Sequence, residues 1–127
     1  MNILAIDYGD TRVGLAHSYS GLDIALPLKM IVNDKKFFYN LLSIIEELEI
    51  ELILVGLPLN LQSIDTIQTK KVRNFVENLK TKFSGRIELL DERMTSALAK
   101  KYLAKKSSID VESARIILED WLSNNSI

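Results

Sequence analysis

Acids standing at the ends of apolar runs are where this sequence could do chemistry. In N-I-L-A-I-D-Y-G-D-T-R-V-G-L-A, Asn2 to Ala16, an apolar run climbs into Asp7 and then turns at Gly9. A second apolar segment ends on Asp91 and Glu92, within D-E-R-M-T-S, and a third acid, Asp110, heads an apolar helical pattern. A carboxylate against that much apolar surface needs a cation or a donor, since leaving it unpaired costs on the order of several kcal/mol. Three carboxylates from distant segments aimed at one crevice repel one another unless something positive sits among them. Mg²⁺, with Mn²⁺ as its substitute, answers that need. It takes oxygen ligands from a few carboxylates, and a pair of such ions about 4 Å apart activates a water and stabilises the leaving oxygen in phosphodiester cleavage. Plainer roles exist for each acid: Asp7 bonding its own turn, one of the strand-end acids pairing with Arg93 at the surface, and Asp110 capping a helix, which is worth typically about 1 kcal/mol. Ser107 or Ser108 would cap that helix equally well, which favours an inward role for Asp110.

These acids need elements to carry them. Ile3 to Ile6 read as a strand buried on both faces, because the run lacks the alternation of a half-wet strand. Gly9 allows a tight turn, and Val13 to His17 return as an antiparallel neighbour. A third extended stretch, Ile24 to Val32, contains Pro27 and is therefore an edge candidate. Phe37, Phe38, Leu41, Leu42, Ile45 and Leu48 then form a helical stripe, with Asn33 or Asp34 available as its cap. Leu52 to Leu57 is a second fully buried strand closed by Pro58. A polar stretch from Asn60 to Thr69 leads into a helix with the stripe Val72, Phe75, Val76 and Leu79, expected to end near Gly85. Ile87 to Leu90 is a short strand, Thr95 or Ser96 opens a basic helix through Lys105, and Asp110 precedes a last helix to about Ser123. The buried stripe of that helix is Ala114, Ile117, Leu118, Trp121 and Leu122, and one turn back from Ala114 is Asp110. Glu112, Glu119 and Asp120 fall off the stripe and read as solvent-facing.

This order predicts a mixed α/β sheet. Right-handed crossovers make strands one, four and five parallel, and the opening meander sets strand two antiparallel, giving the order 3-2-1-4-5. Ligands in such sheets favour the crevice at the carboxyl ends of the parallel strands, where Asp7, Gly56 and the Asp91-Glu92 pair all fall. Successive strand residues face opposite ways, so only one of Asp91 and Glu92 can share Asp7's cleft, and the pattern does not decide which. Gly14 and Gly56 read as positions of close backbone approach, with Gly56 leaving room for a phosphate opposite Asp7. His17, the only histidine, is a candidate proton shuttle, although incidental placement is the commoner fate of a lone histidine at a strand end.

With 127 residues and no internal repeat, the chain is expected to be one domain spanning 1–127. It contains no cysteine, which excludes disulfide scaffolds and thiolate metal sites. No apolar run approaches the ~18 residues of a membrane span, and Met1 leads straight into strand one, so a cytoplasmic location without membrane contact is expected. The formal net charge of -1 argues against a generic nucleic-acid coat. Charge distribution says more. Eight of the eleven lysines occur as adjacent pairs, and Arg93 to Lys106 carries five positive residues and no acid. A solvated helix face would explain such a run; beside a metal site, however, it would hold a nucleic-acid backbone, with Lys100 and Lys101 in that patch and Arg12 contributing from the first turn.

The motifs D-Y-G-x-x-R-V-G-L-A, V-G-L-P-L-N, D-E-R-M-T-S and I-D-x-x-S-A-x-I-I-L-E-D-W-L together resemble the YqgF family of pre-16S rRNA nucleases, also described as RuvX-like Holliday-junction resolvases. Each motif is weak alone, but four in register across nearly the whole chain are specific. The resemblance implies a ribonuclease H-like fold and a bacterial cytoplasmic nuclease that matures the 5′ end of 16S rRNA. It also implies Asp7, Glu92 and Asp110 as the catalytic, metal-holding acids, with Arg93 and Thr95 in support. Two departures stand out: Asp10 occupies a position usually held by threonine, and the loop Asn60 to Thr66 lacks a glycine common in such proteins. The first adds negative charge near the cleft or simply occupies the turn, and the second bears on substrate contacts. Expected partners are RNA, as pre-16S rRNA or a ribosome precursor, or branched DNA, with the protein itself a monomer or homodimer. Other readings are a non-catalytic nucleic-acid or ribosome-binding module that kept the fold, and an actin-like phosphotransferase, which normally needs a second domain for which this chain has no room.

Overall fold

The computed structural model describes residues 1–58, 66–91 and 109–125, and for residues 109 and 110 the backbone alone. Its sheet has strands β1 (Ile3–Asp7), β2 (Arg12–Ser18), β3 (Leu26–Val32), β4 (Leu52–Leu57) and β5 (Arg86–Asp91). Their order is β3-β2-β1-β4-β5, with β2 antiparallel to β1 and β3, and β1, β4 and β5 parallel, as the alternation of periods predicts. Pro27 lies in β3 on the sheet edge, opposite a register shift between Leu15 and Ala16. The missing N–H of proline is tolerated there because an edge strand has no partner on its outer side.

Helices α1 (Phe37–Glu47) and α2 (Ile67–Lys80) cover one face of the sheet, and α3 (Ile109–Asn125) covers the other. Strand alternation sorts the core accordingly. Leu4, Ile6, Val13, Leu15, Ile53 and Val55 pack with Phe37, Leu41, Phe75 and Leu79 beneath α1 and α2. Ile3, Ala5, Ala16, Leu52 and Leu54 pack with Ala114, Ile117 and Leu118 beneath α3. Small residues at Ala5, Ala16 and Ala114 let α3 sit close to the sheet. Ser113 and Ile116 are buried too, so α3 presents a wider inner face than its stripe suggested.

Several boundaries differ from the sequence expectation. Neither Asn33 nor Asp34 occupies the N-cap of α1. That position is Lys36, while the Asp34 carboxylate accepts from the Lys36 N–H in a turn just before the helix. Helix α2 starts within the supposed polar connection. Thr66 accepts from the Thr69 N–H, and Thr69 accepts from the Thr66 N–H and donates to the Pro58 carbonyl. This is a reciprocal cap with threonine where glutamate is usual. Nor does α2 run to Gly85; it stops at Lys80 with Thr81 as C-cap. Gly85 serves close packing, since a Cβ there would meet the Phe83 ring at 2.3 Å and the Glu51 carbonyl at 2.9 Å. Helix α3 is described from Ile109, so Asp110 lies in its first turn and not before it. Glu112 is half-buried against Arg115 instead of facing solvent, and Asp120 is half-buried as well; only Glu119 of the three is exposed.

Candidate active site at the carboxyl edge

Asp7 is the last residue of β1 and is half-buried. It shares the α3 face with Ile3 and Ala5. Its partner on β2 is Gly14, and the parallel register Ile6 to Val55 brings Gly56 alongside on β4. Both flanking residues are glycines, so neither neighbouring strand sets a side chain beside the carboxylate. Arg12 pairs with Val32 and stands two residues from Gly14, hence on the same face, and it is exposed. An acid and a guanidinium therefore share one end of one sheet face.

The turn that carries both is clamped from below. Tyr8, facing the other way from Asp7, stacks on Phe75 with ring centroids 4.3 Å apart and meets Phe37 edge-on at 6.0 Å. The Asn33 side-chain amide donates to the Gly9 carbonyl at 2.8 Å, and the Asn33 N–H donates to the Thr11 carbonyl at 2.8 Å. Gln68 donates to the Tyr8 carbonyl at 3.3 Å, and Lys71 reaches the Asp10 carboxylate at 3.1 Å. Asp10 thus sits in the turn and engages a lysine of α2. Gly9 is required by proximity: a Cβ would lie 2.5 Å from the Arg12 carbonyl oxygen. Asn33 and Gln68 escaped sequence reasoning, because a polar residue next to a helix start looks like a cap.

Helix α3 runs against β1. Trp121 donates to Glu88 at 3.4 Å, and Trp121, Leu122 and Asn125 border a cavity with Met1 and Ile3 at the amino end of β1. From Trp121 back to Asp110 is about 16 Å at 1.5 Å per residue, roughly the length of the strand. The first turn of α3 therefore lies at the Asp7 end, and Asp110 stands one turn before the fully buried Ala114.

On β5, Leu90 packs in the α3 layer and Ile87 in the α1/α2 layer. Asp91 alternates with Leu90 and so belongs to the face opposite Asp7, which removes it as Asp7's companion. Glu92, Arg93, Thr95, Lys100 and Lys101 lie outside the described residues, as do the expected basic helix and the glycine-poor loop through residue 65. Among the described residues no three acids or histidines are grouped to hold a metal. His17 is not part of this site. It lies three residues along β2 from Gly14, on the α1/α2 face beside Leu4, buried and edge-on to Tyr19, so it cannot relay protons to Asp7. Burial holds its imidazole below the usual pKa.

Comparison with known proteins agrees with this architecture. A model of the RuvX family, described as Holliday junction resolvase, matches residues 1–124. A "Putative pre-16S rRNA nuclease" from Maridesulfovibrio salexigens is 38% identical over 133 residues, covering 97% of this chain and 98% of its own. The protein of the same name from Sulfurihydrogenibium sp. is 39% identical over 132 residues, covering 98% of this chain and 91% of its own. The solved structure of T. thermophilus RuvC in complex with Holliday junction substrate superposes with a TM-score of 0.66 at 14% identity, covering 98% of this chain and 94% of that one. The shared fold is ribonuclease H-like.

Proposed function

The chain belongs to the RuvX family, and from that membership we propose that it is a single-domain, metal-dependent endonuclease of the cytoplasm that cleaves phosphodiester bonds of pre-16S rRNA at its 5′ end. The observation that carries the site is Asp7: a half-buried carboxylate ending a buried strand, bracketed by two glycines, on the face and at the end where α3 begins. Asp7, Glu92 and Asp110 hold the metal in this reading. The alternation of β5 supports Glu92 by assigning Asp91 to the other face, and the direction of α3 supports Asp110. The donors are all carboxylate oxygens and the chain has no thiol, which fits a hard cation such as Mg²⁺ or Mn²⁺. When bound, such an ion supplies the positive charge that activates water and offsets charge on the phosphate. Arg12, Arg93, Thr95, Lys100 and Lys101 position the backbone of the substrate without reading its sequence.

The family description favours a second substrate, branched DNA. The two separate by rates on a labelled pre-16S rRNA fragment and a four-way DNA junction at matched salt and magnesium, since salt alone shifts nucleic-acid affinity by orders of magnitude. Faster cleavage of the rRNA fragment is expected. Preferential cutting of the junction would reassign the substrate, and binding of both without magnesium-dependent cleavage would mean a non-catalytic binding module.

A further inference from the structure

Ser113 carries a hydroxyl into the layer between α3 and the sheet. The residue is 1% exposed, and its Oγ has no hydrogen-bond partner among the described residues. A serine inside a helix commonly satisfies its hydroxyl on the carbonyl one turn back, and Ser113 does not. Burying a hydroxyl without replacing its bonds to water is unfavourable, and alanine, a better helix former, would fill the place without that cost. Ser113 is also the one buried polar side chain among the described residues of α3, whereas Glu112, Arg115 and Glu119 bond to one another.

Its position follows from its neighbours. Trp121 borders a cavity with Ile3. Eight residues of helix from Trp121 back to Ser113 cover about 12 Å, and four steps of β1 from Ile3 to Asp7 cover about 13 Å in the same direction, so Ser113 stands level with Asp7. Arg115 borders a cavity with Ile24 and Ala25, just before β3. Ser113 lies two residues earlier, about 200° round the helix, and therefore turns away from β3 toward β1 and β4. It roofs the crevice whose floor is Gly14, Asp7 and Gly56, where neither glycine adds a side chain. The hydroxyl makes no bond to the Asp7 carboxylate. What it addresses lies between the two.

We propose that Ser113 is a positioning residue of the Asp7 site: its Oγ accepts a hydrogen bond from a water on the cation that Asp7 holds, and so fixes that water on the α3 side. This rests on the reading of Asp7 as a metal-holding acid. Mg²⁺ bound through a few carboxylates keeps several waters, so such a site calls for acceptors around the ion besides its direct ligands. Groups that bond an ion's ligands typically change metal affinity by roughly ten- to hundredfold.

The test compares the full chain as wild type, Ser113→Ala and Asp7→Asn. Mn²⁺ alone is titrated into each, and the free ion is counted by electron paramagnetic resonance. Asp7→Asn should lose binding, and Ser113→Ala should weaken it about tenfold. Without metal, Ser113→Ala should melt at or above the wild-type temperature, because it removes a hydroxyl that the described residues do not bond; at a fixed Mn²⁺ concentration its gain in Tm should be smaller than that of wild type. On a labelled pre-16S rRNA fragment it should lower kcat and raise the magnesium needed for half-maximal rate, with KM for the RNA unchanged. Wild-type Mn²⁺ affinity in Ser113→Ala beside lost binding in Asp7→Asn would overturn the role of Ser113 and leave that of Asp7 standing. A lower Tm without metal, with Mn²⁺ affinity unchanged, would overturn it too, since Ser113 would then serve packing alone. Mn²⁺ binding unaffected by Asp7→Asn would remove the metal-holding reading itself, and this inference with it.

Discussion

Replacing Gly9 by alanine tests whether the β1–β2 turn is the frame of the site. A Cβ at that position falls 2.5 Å from the Arg12 carbonyl oxygen, and reaching ordinary contact at 3.4 Å requires a retreat of roughly 0.9 Å by backbone atoms. The turn cannot yield freely, because Asn33 holds the Gly9 carbonyl and Gln68 the Tyr8 carbonyl while Tyr8 is wedged against Phe75. A forced shift of this kind costs about 2 kcal/mol, which for a domain of this size lowers Tm by roughly 6–10 °C. Misplacing catalytic groups by about 1 Å reduces turnover about a hundredfold. Cleavage of a labelled pre-16S rRNA fragment, measured well below both melting temperatures, should therefore fall far more than stability explains. Gly21→Ala is the matched control: its φ of 89° disfavours a side chain, but nothing lies within 4 Å of the added Cβ and the residue is remote from Asp7. It should cost about 1 kcal/mol and leave the cleavage rate unchanged. Wild-type stability and rate in Gly9→Ala, or lost cleavage in Gly21→Ala, would refute the reasoning.

Thr69→Val removes the hydroxyl that donates to the Pro58 carbonyl and accepts from the Thr66 N–H, and urea titration should show a loss of about 2 kcal/mol. Glu49 holds φ 52° just past the end of α1, so Glu49→Gly should raise stability by about 1 kcal/mol in the same assay. Buried His17 resists protonation in the folded state, whereas the unfolded chain takes up a proton near pH 6.5. Its contribution is therefore intact above pH 6.5 and is lost as pH falls from there toward the lowered folded pKa, with a slope of at most about 1.4 kcal/mol per pH unit. His17→Asn should flatten unfolding free energies measured between pH 7.5 and 5.5.

Much of the architecture was legible because burial and period agree in this chain. Continuous apolar runs at Ile3–Ile6 and Leu52–Leu57 read as strands buried on both faces, and Pro27 marked its strand as an edge candidate. Helix ends were less legible. The cap of α2 uses threonine at both positions, so it reads as loop, and Gly85 mimics a helix stop while serving contact with Glu51 and Phe83. Asp7 stood out as an acid closing an apolar strand. Assigning Asp91 to the face away from Asp7 required the sheet, because Leu89 and Leu90 are equally apolar and only packing of Leu90 under α3 reveals which face is which. Asn33 could not be assigned from sequence, since its partner, the Gly9 carbonyl, is a backbone group 24 residues away.

The proposed phosphodiester cleavage rests on Asp7 as a carboxylate that holds metal. A magnesium titration of wild type and Asp7→Asn against a labelled pre-16S rRNA fragment tests it directly, because asparagine keeps the size of the side chain and removes its charge. Wild-type cleavage should rise and saturate with magnesium, and Asp7→Asn should lose cleavage while retaining RNA binding. Magnesium-dependent cleavage by Asp7→Asn at the wild-type rate would contradict it.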